Sequence, residues 1–450
     1  MLFVFLNRRN SILSLATMSF TPKPNVRILL HGGDNMLGRG IQLTFPVQSP
    51  GEELIRDSCA AEGYLWMGLH NDKDIGELRS IRILNEQRGE YLWGHAPHLA
   101  HLQADLTLMN LETAVTRSIQ DPYPGKGINY HMNSENFHNI LGGLKDRVGG
   151  PLVVVFSNNH CLDFGRRAFE VETLPLFQSL TDISTVGCGF TSTEAARPFQ
   201  LKPTDSNAQR ITVYAFTTQC SGTPLGWNAT KTHSGILVLP YIYNDRDVDH
   251  AMDIIKGSIA PEQESDTIRI ISIHWGPNWA HRSEREGEIH ARQRLAHRLI
   301  DECNVDLIYG HSSHHTRGLE LYHGKLILYG AGDIINDYEG FQNPGEELYN
   351  TLGGIFVVDL LPSGDLYQLR IIPTVMNQLR LERVTPETKI WRPNQRSYET
   401  NSNQCAEYCN FINHLSTLDA GSTGTPLLLH HVISDDEIPG GPILKSQIMR

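Results

Sequence analysis

VDLIYGHSSHHTRGLELYHGKLILYGAGD, residues 305–333, holds the pattern on which the fold turns. An apolar run ends in Gly310, and His311, His314 and His315 follow directly. A second apolar run, Leu326 to Tyr329, empties into Gly330, Gly332 and Asp333. Short apolar runs bounded by glycine have the form of buried strands, and α/β proteins build sites just beyond the carboxyl ends of such strands. Imidazole is the commonest metal-binding side chain and titrates near neutral pH. The spacing therefore fits a metal-centred or acid–base site. It fits a polar, histidine-rich loop equally well, and the remainder of the chain has to decide.

Working outward, the same design recurs. Val26–His31 runs into GGDNMLGRG, Asp105–Asn110 into Leu111 and Glu112, Leu152–Ser157 into Asn158, Asn159 and His160, and Ile268–Ile273 into His274 and Trp275. Five apolar strands thus end in oxygen or nitrogen donors: Asp34, Glu112, Asn159 with His160, His274, and His311 with His314. One such ending is ordinary loop chemistry; five with different donors point to a shared cleft. A mixed Asp/Glu/Asn/His set suits one or two divalent ions such as Mn²⁺, Zn²⁺ or Fe²⁺ better than Ca²⁺, which prefers oxygen throughout. Each residue also has a plainer role open to it: Asp34 as a turn residue, Glu112 as a cap, Asn159 and His160 as strand-end hydrogen bonders, His274 as a core histidine packed by Trp275. His315 is expected to point elsewhere, because three imidazoles this close in sequence rarely converge. Asp163 and Asp333 are expected behind the ligands, bonding to histidines or backbone.

Bulk properties narrow the class. The chain has 450 residues, 40% apolar and 20% charged, which suits a soluble globular protein of one large domain with additions or of two domains. Its net charge is −12 and no long Lys/Arg run occurs, which argues against nucleic acid as a partner. An anionic substrate stays open, because a bound cation reverses the local field. Seven cysteines without a CxxC pair argue against a disulfide framework and for a reducing, cytoplasmic setting. The Arg- and Ser-containing start without acidic residues before Asp34 carries a mitochondrial alternative. Residues 1–24 read as a dispensable extension whose apolar stretch is too short to span a bilayer. Residues 25–375 read as the catalytic-type domain, and 376–450 as an accessory segment with a loose tail. Helices are expected over Arg166–Leu180 and Ile289–Cys303, the latter from Leu295, Leu299 and Cys303 recurring every fourth place. Asp121–Asn139 reads as a turn-rich surface loop.

In chain order, GGDNMLGRG, NLETAVT, SNNHCLDFG, SIHWGPNW, GHSSHHTRGLE and KLILYGAGDIINDYEG resemble the CapA family of poly-γ-glutamate capsule synthesis proteins, grouped with the calcineurin-like metallophosphoesterases. The resemblance covers roughly Asn25 to Pro373. It implies an α/β, four-layer sandwich of two mixed β-sheets flanked by helices, with a metal centre at the strand C-terminal ends. Asp34, Glu112, Asn159, His274 and His311 then resemble metal ligands. His160 resembles the histidine that polarises or protonates near the scissile group, and His314 the last histidine of the GH motif. Three departures stand out: Met36 where the superfamily has a first-motif histidine, Glu112 for an aspartate, and one extra residue in GHSSH. The implied activity is metal-dependent hydrolysis of an anionic substrate, such as a γ-linked glutamate polymer or related metabolite. Arg39 and Lys126 are candidates to neutralise its carboxylates, and Trp275 and Trp279 to wall the cleft. The rivals are a non-catalytic accessory protein of polyglutamate biosynthesis and a small-molecule phosphoesterase.

Overall fold

Alternate residues of strand β1 (Val26–Asn35) enter two different cores: Ile28 and Leu30 face one, Leu29 the other. A computed structural model describes residues 26–55, 60–70, 73–202, 209–259, 267–279, 285–339, 352–392 and 397–446, so the expected extension 1–24 lies outside the described residues. Parallel to β1 run β2 (Leu106–Leu111) and β3 (Leu152–Val155), with the same alternation. Leu106, Leu108, Val153 and Val155 join the inner core, while Met109, Leu111, Leu152 and Val154 turn to the outer one. Period-two burial on both faces requires a covering layer on each side.

A second sheet covers the inner face. In β4 (Thr267–His274) and β5 (Leu307–His311), Ile268, Ile270, Leu307 and Tyr309 meet the first sheet. Ile271, Ile273 and Ile308 face outward against helices. Helix α1 (Ser134–Val148) covers the first sheet with Phe137, Ile140, Leu141 and Leu144. Helices α2 (Asp245–Ser258) and α3 (Glu286–Cys303) cover the second. In α2, Val248, Ala251, Met252 and Ile255 fall at the i, i+3, i+4, i+7 spacing of one face. Each fully buried Leu or Ile contributes on the order of 2 kcal/mol.

Among the described residues the first sheet has ten strands and the second seven. Both are mixed: Leu352–Leu360 runs antiparallel to β1, and Leu319–Tyr322 antiparallel to Lys325–Leu328. This is the expected α/β four-layer sandwich of two mixed sheets flanked by helices.

Local boundaries differ from the sequence reading in three places. The turn-rich segment after Asp121 gives way to α1 at Ser134, where the Asn133 side chain accepts from the Glu135 amide at 3.0 Å. The helix expected over Arg166–Leu180 runs from Gly165 to Ser179 with a π-turn at Phe169–Thr173. Within 376–450, expected as an accessory segment and a loose tail, helix α4 (Gln404–Ala420) sends Cys405, Tyr408, Ile412 and Leu415 into the inter-sheet core. Leu429–Val432 and Ile443–Ser446 then extend the first sheet. Among the described residues no helix is long and apolar enough to cross a membrane.

Candidate metal centre

The strand ends of the two sheets meet in one buried cleft. His274 and His311 close β4 and β5 as register partners, so adjacent parallel strands deliver two imidazoles side by side, Nδ1 to Nδ1 at 2.7 Å. Asp34 reaches them from the other sheet, its Oδ1 3.5 Å from His274 Nδ1 and 3.8 Å from His311 Nδ1. Its carboxylate is held in place, Oδ1 accepting from Asn110 Nδ2 and Oδ2 from the Ser312 amide, both at 2.8 Å. Asn159 Oδ1 lies 3.0 Å from His274 Nε2.

Glu112, the residue after β2, stands among the imidazoles. Oε1 is 3.7 Å from His274 Nε2 and 3.8 Å from His160 Nε2, and Oε2 is 3.9 Å from His314 Nδ1. The residue is 0% exposed, yet neither oxygen accepts a hydrogen bond. A buried carboxylate with no hydrogen bond is costly unless a cation completes it. Asp333 joins from the strand Asp333–Ile335, whose parallel register sets it opposite Asp34, and it holds His314 Nδ1 at 2.8 Å.

Two overlapping donor groups result, each with ligand atoms within 4.8 Å of one another: Asp34, His274 and His311, and Asp34, Glu112, His314 and Asp333. Donors sharing one ion at about 2.0–2.3 Å stand roughly 3–4 Å apart, the spacing of most of these contacts. The residues present therefore fit one or two divalent ions, with Asp34 common to both groups.

Electrostatics agree with that fit. Burial lifts the Asp34 carboxyl to about 7, with His314 opposing and Asp333 adding to the rise. Burial and the Asp34 charge push Glu112 well above the ordinary carboxylate range, and burial does the same to Asp333. Burial lowers His311 to about 3, and burial with neighbouring histidines depresses His274. Carboxylates that resist ionisation and imidazoles that resist protonation are what a cation-binding cleft looks like to protons alone.

His160 stands beside the cluster rather than in either donor group. Its Nδ1 is 2.5 Å from Asp163 Oδ2, Tyr130 stacks on the ring at 3.8 Å, and Nε2 is left on the Glu112 side. Lys126 is paired with Asp163 and lies 2.8 Å from His160 Nδ1. Trp279 stacks on His314 at 5.1 Å, at the edge of the cluster. The other two substrate candidates are held by other partners, although Arg39 also lies over the Tyr130 ring that stacks on His160. Trp275 is in the core between the second sheet and its helices, its indole donating to Tyr329 O at 2.8 Å. Arg39 is ion-paired with Asp337 under the Tyr64 ring. His315 packs toward Phe411, outside both donor groups. The sequence reading held Asp163 and Asp333 as supports behind the ligands. Asp163 and Asp333 both contact histidines, and Asp333 also belongs to a donor group. The GAGD that follows the Lys325–Leu328 strand resembled the other strand ends and was the available signal.

The model of the bacterial capsule synthesis protein PGA_cap family matches residues 28–338. A probable polyglutamine synthesis accessory protein of Mycobacterium tuberculosis is 32% identical over 384 residues, 82% of this chain and 90% of that protein. The PGA biosynthesis protein CapA of Bacillus subtilis is 25% identical over 264 residues, 59% of this chain and 62% of that protein. A Mycoplasma pneumoniae phosphatase structure overlaps 80% of this chain and 92% of that chain at 11% identity and a TM-score of 0.34, too distant to carry an argument. With most of its length matched by the family model, this chain belongs to the bacterial capsule synthesis protein PGA_cap family.

Proposed function

We propose that the protein is a metal-dependent hydrolase of an anionic substrate, a γ-linked glutamate polymer or a related metabolite. Asp34, Asn159, His274 and His311 would hold an ion on one side, and Asp34, Glu112, His314 and Asp333 on the other. A divalent ion there supplies Lewis acidity and acidifies water toward neutral pH. The observation that carries the reading is Glu112, whose two buried oxygens lack any hydrogen bond at the meeting point of three imidazoles.

The chain's own residues supply the proton chemistry. Asp163 fixes the His160 tautomer through Nδ1, and Tyr130 fixes the ring plane. Nε2 is then the atom that gives a proton to a leaving group or stabilises charge developing there. Asp333 and Trp279 hold the His314 ring from the opposite side, with Nδ1 turned toward Asp34 and Glu112. The near-complete burial of Asp34, Glu112, His274 and His311 keeps bulk water from screening these interactions.

A second reading is a non-catalytic accessory protein, favoured by the word "accessory" in the name of the mycobacterial relative. One experiment separates the two. The purified protein is stripped of metal, reloaded with Mn²⁺ or Zn²⁺, and offered phosphoesters and γ-glutamyl peptides beside a His311→Ala variant. Metal-dependent turnover lost in His311→Ala supports the hydrolase, and the cleaved substrate separates the γ-glutamyl reading from a small-molecule phosphoesterase. Stoichiometric metal without turnover favours the accessory role. Failure to bind any metal overturns the proposal.

A further inference from the structure

Helix α4 lies beyond the family-matched residues 28–338, yet it is wired into the histidine loop. Ser312 and His314 adopt left-handed backbone conformations, φ +99° and +59°. Such conformations cost non-glycine residues on the order of 1 kcal/mol or more, and persist only where the surroundings hold them. Upstream the hold is the Ser312 amide on Asp34. Downstream it is shared between the 330–333 backbone, where Gly330 O accepts from the Arg317 amide at 2.8 Å, and α4. Arg317 donates to both Asp419 oxygens, at 2.7 and 3.3 Å, and the Gly318 amide donates to Asp419 Oδ2 at 2.9 Å. The Leu319 amide donates to Ser416 Oγ at 2.9 Å, and the Thr316 and Tyr408 hydroxyls are bonded. A Cβ on Gly318 would sit 2.5 Å from Leu415 O, so loop and helix backbones touch.

We infer that α4 is part of the centre and that Asp419 is a positioning residue, holding residues 312–319 so that His311 and His314 face Asp34 and Glu112. The inference rests on the reading of these histidines as ligands. Asp419 is 1% exposed and Arg317 3%. Burial pushes the Asp419 carboxyl up, but Arg317 and Arg292 more than offset it, leaving the charged form favoured. Asparagine at 419 would offer one acceptor where the carboxylate offers two, and would turn an N–H toward either Arg317 or the Gly318 amide.

The test uses the full-length, metal-free protein and Asp419→Asn. Amide hydrogen exchange of residues 312–319 is expected to accelerate at least tenfold, while β1 and β2 amides stay protected. Co²⁺ affinity should fall at least tenfold, with an altered Co²⁺ absorption spectrum. Cys409→Ala, a core change on the same helix that makes no bond to the loop, should move neither readout. Should Asp419→Asn not fold, Ser416→Ala is expected to give the same loop-confined acceleration at about threefold. Unchanged loop protection overturns the inference, and so does acceleration spread equally over the sheets. Wild-type protein that takes up no Co²⁺ overturns the ion reading instead, and the exchange data alone then decide whether Asp419 holds the loop.

Discussion

Asp34 and Asp333 are register partners on adjacent parallel strands, two buried carboxylates set side by side 299 positions apart in the chain. Without a cation, this arrangement opposes folding. Asp333→Asn should therefore act in opposite directions on two measurements. Metal-free protein at pH 7 should gain on the order of 1 kcal/mol in urea unfolding, because asparagine need not take up a proton to be buried there. Metal affinity by calorimetry should fall at least tenfold, because a donor is lost. A variant that loses stability and keeps its affinity would remove Asp333 from the donor set.

Lys126 pairs with Asp163, which also meets His160 Nδ1 and the Tyr130 amide, and burial raises Asp163 to about 7 against the pull of Lys126. Removing Lys126 takes the cation from a buried carboxyl that keeps its His160 and Tyr130 contacts, at up to about 3 kcal/mol. Lys126→Met should cost that much in urea unfolding, and Lys126→Met with Asp163→Asn, which keeps an acceptor for His160 Nδ1 and the Tyr130 amide, should recover part of it. A loss under about 1 kcal/mol for Lys126→Met would mean that the ammonium is not committed to Asp163 and is available to a substrate.

Gly310 precedes His311 where the Leu328–Tyr329 backbone and the Trp275 indole crowd against it. A Cβ there would stand 2.5 Å from Leu328 O and 2.6 Å from Tyr329 O. Gly310→Ala should destabilise by roughly 2 kcal/mol or more and reduce metal uptake as His311 is displaced. Wild-type thermal stability and metal content in this variant would show that β5 tolerates the shift.

His31 is buried against Trp93, with its Nδ1 2.8 Å from Asn35 Oδ1, and burial lowers it from 6.5 to about 4. The unfolded chain binds this proton more readily. The stability from neutral His31 is thus full above pH 6.5 and is lost as pH falls toward 4, about 2 kcal/mol of it between pH 7 and 5. His31→Gln should flatten that part of the profile in metal-free protein. An unchanged difference in urea midpoints between pH 7 and 5 would assign the effect to other groups.

Much of this architecture is legible in the sequence because its signals are local. Asp34, Glu112, Asn159, His274 and His311 each follow an apolar run, and strand alternation in the pleat does the rest. What escaped is long-range. The register that sets Asp333 beside Asp34, and the pairing of Arg39 with Asp337, leave no mark near either residue. Helix α4 does carry apolar residues at helical spacing (Cys405, Tyr408, Cys409, Ile412 and Leu415), but the polar residues on its other faces outweigh them in composition, and its hold on residues 316–319 depends on chain some 100 positions away. Trp275 looked like a cleft wall because it follows His274, but consecutive strand residues point to opposite faces, and its indole goes to the helix side.

The central claim is that the orphaned Glu112 carboxylate marks a cation site. Its most direct test is elemental analysis of full-length protein, stripped with chelator, reloaded with an equimolar mixture of Mn²⁺, Zn²⁺ and Fe²⁺, and passed through gel filtration beside Glu112→Gln. The expected result is one to two retained equivalents in the wild type and a loss of about one in the variant. Wild-type protein that retains none, or a Glu112→Gln variant that retains as much, would contradict it.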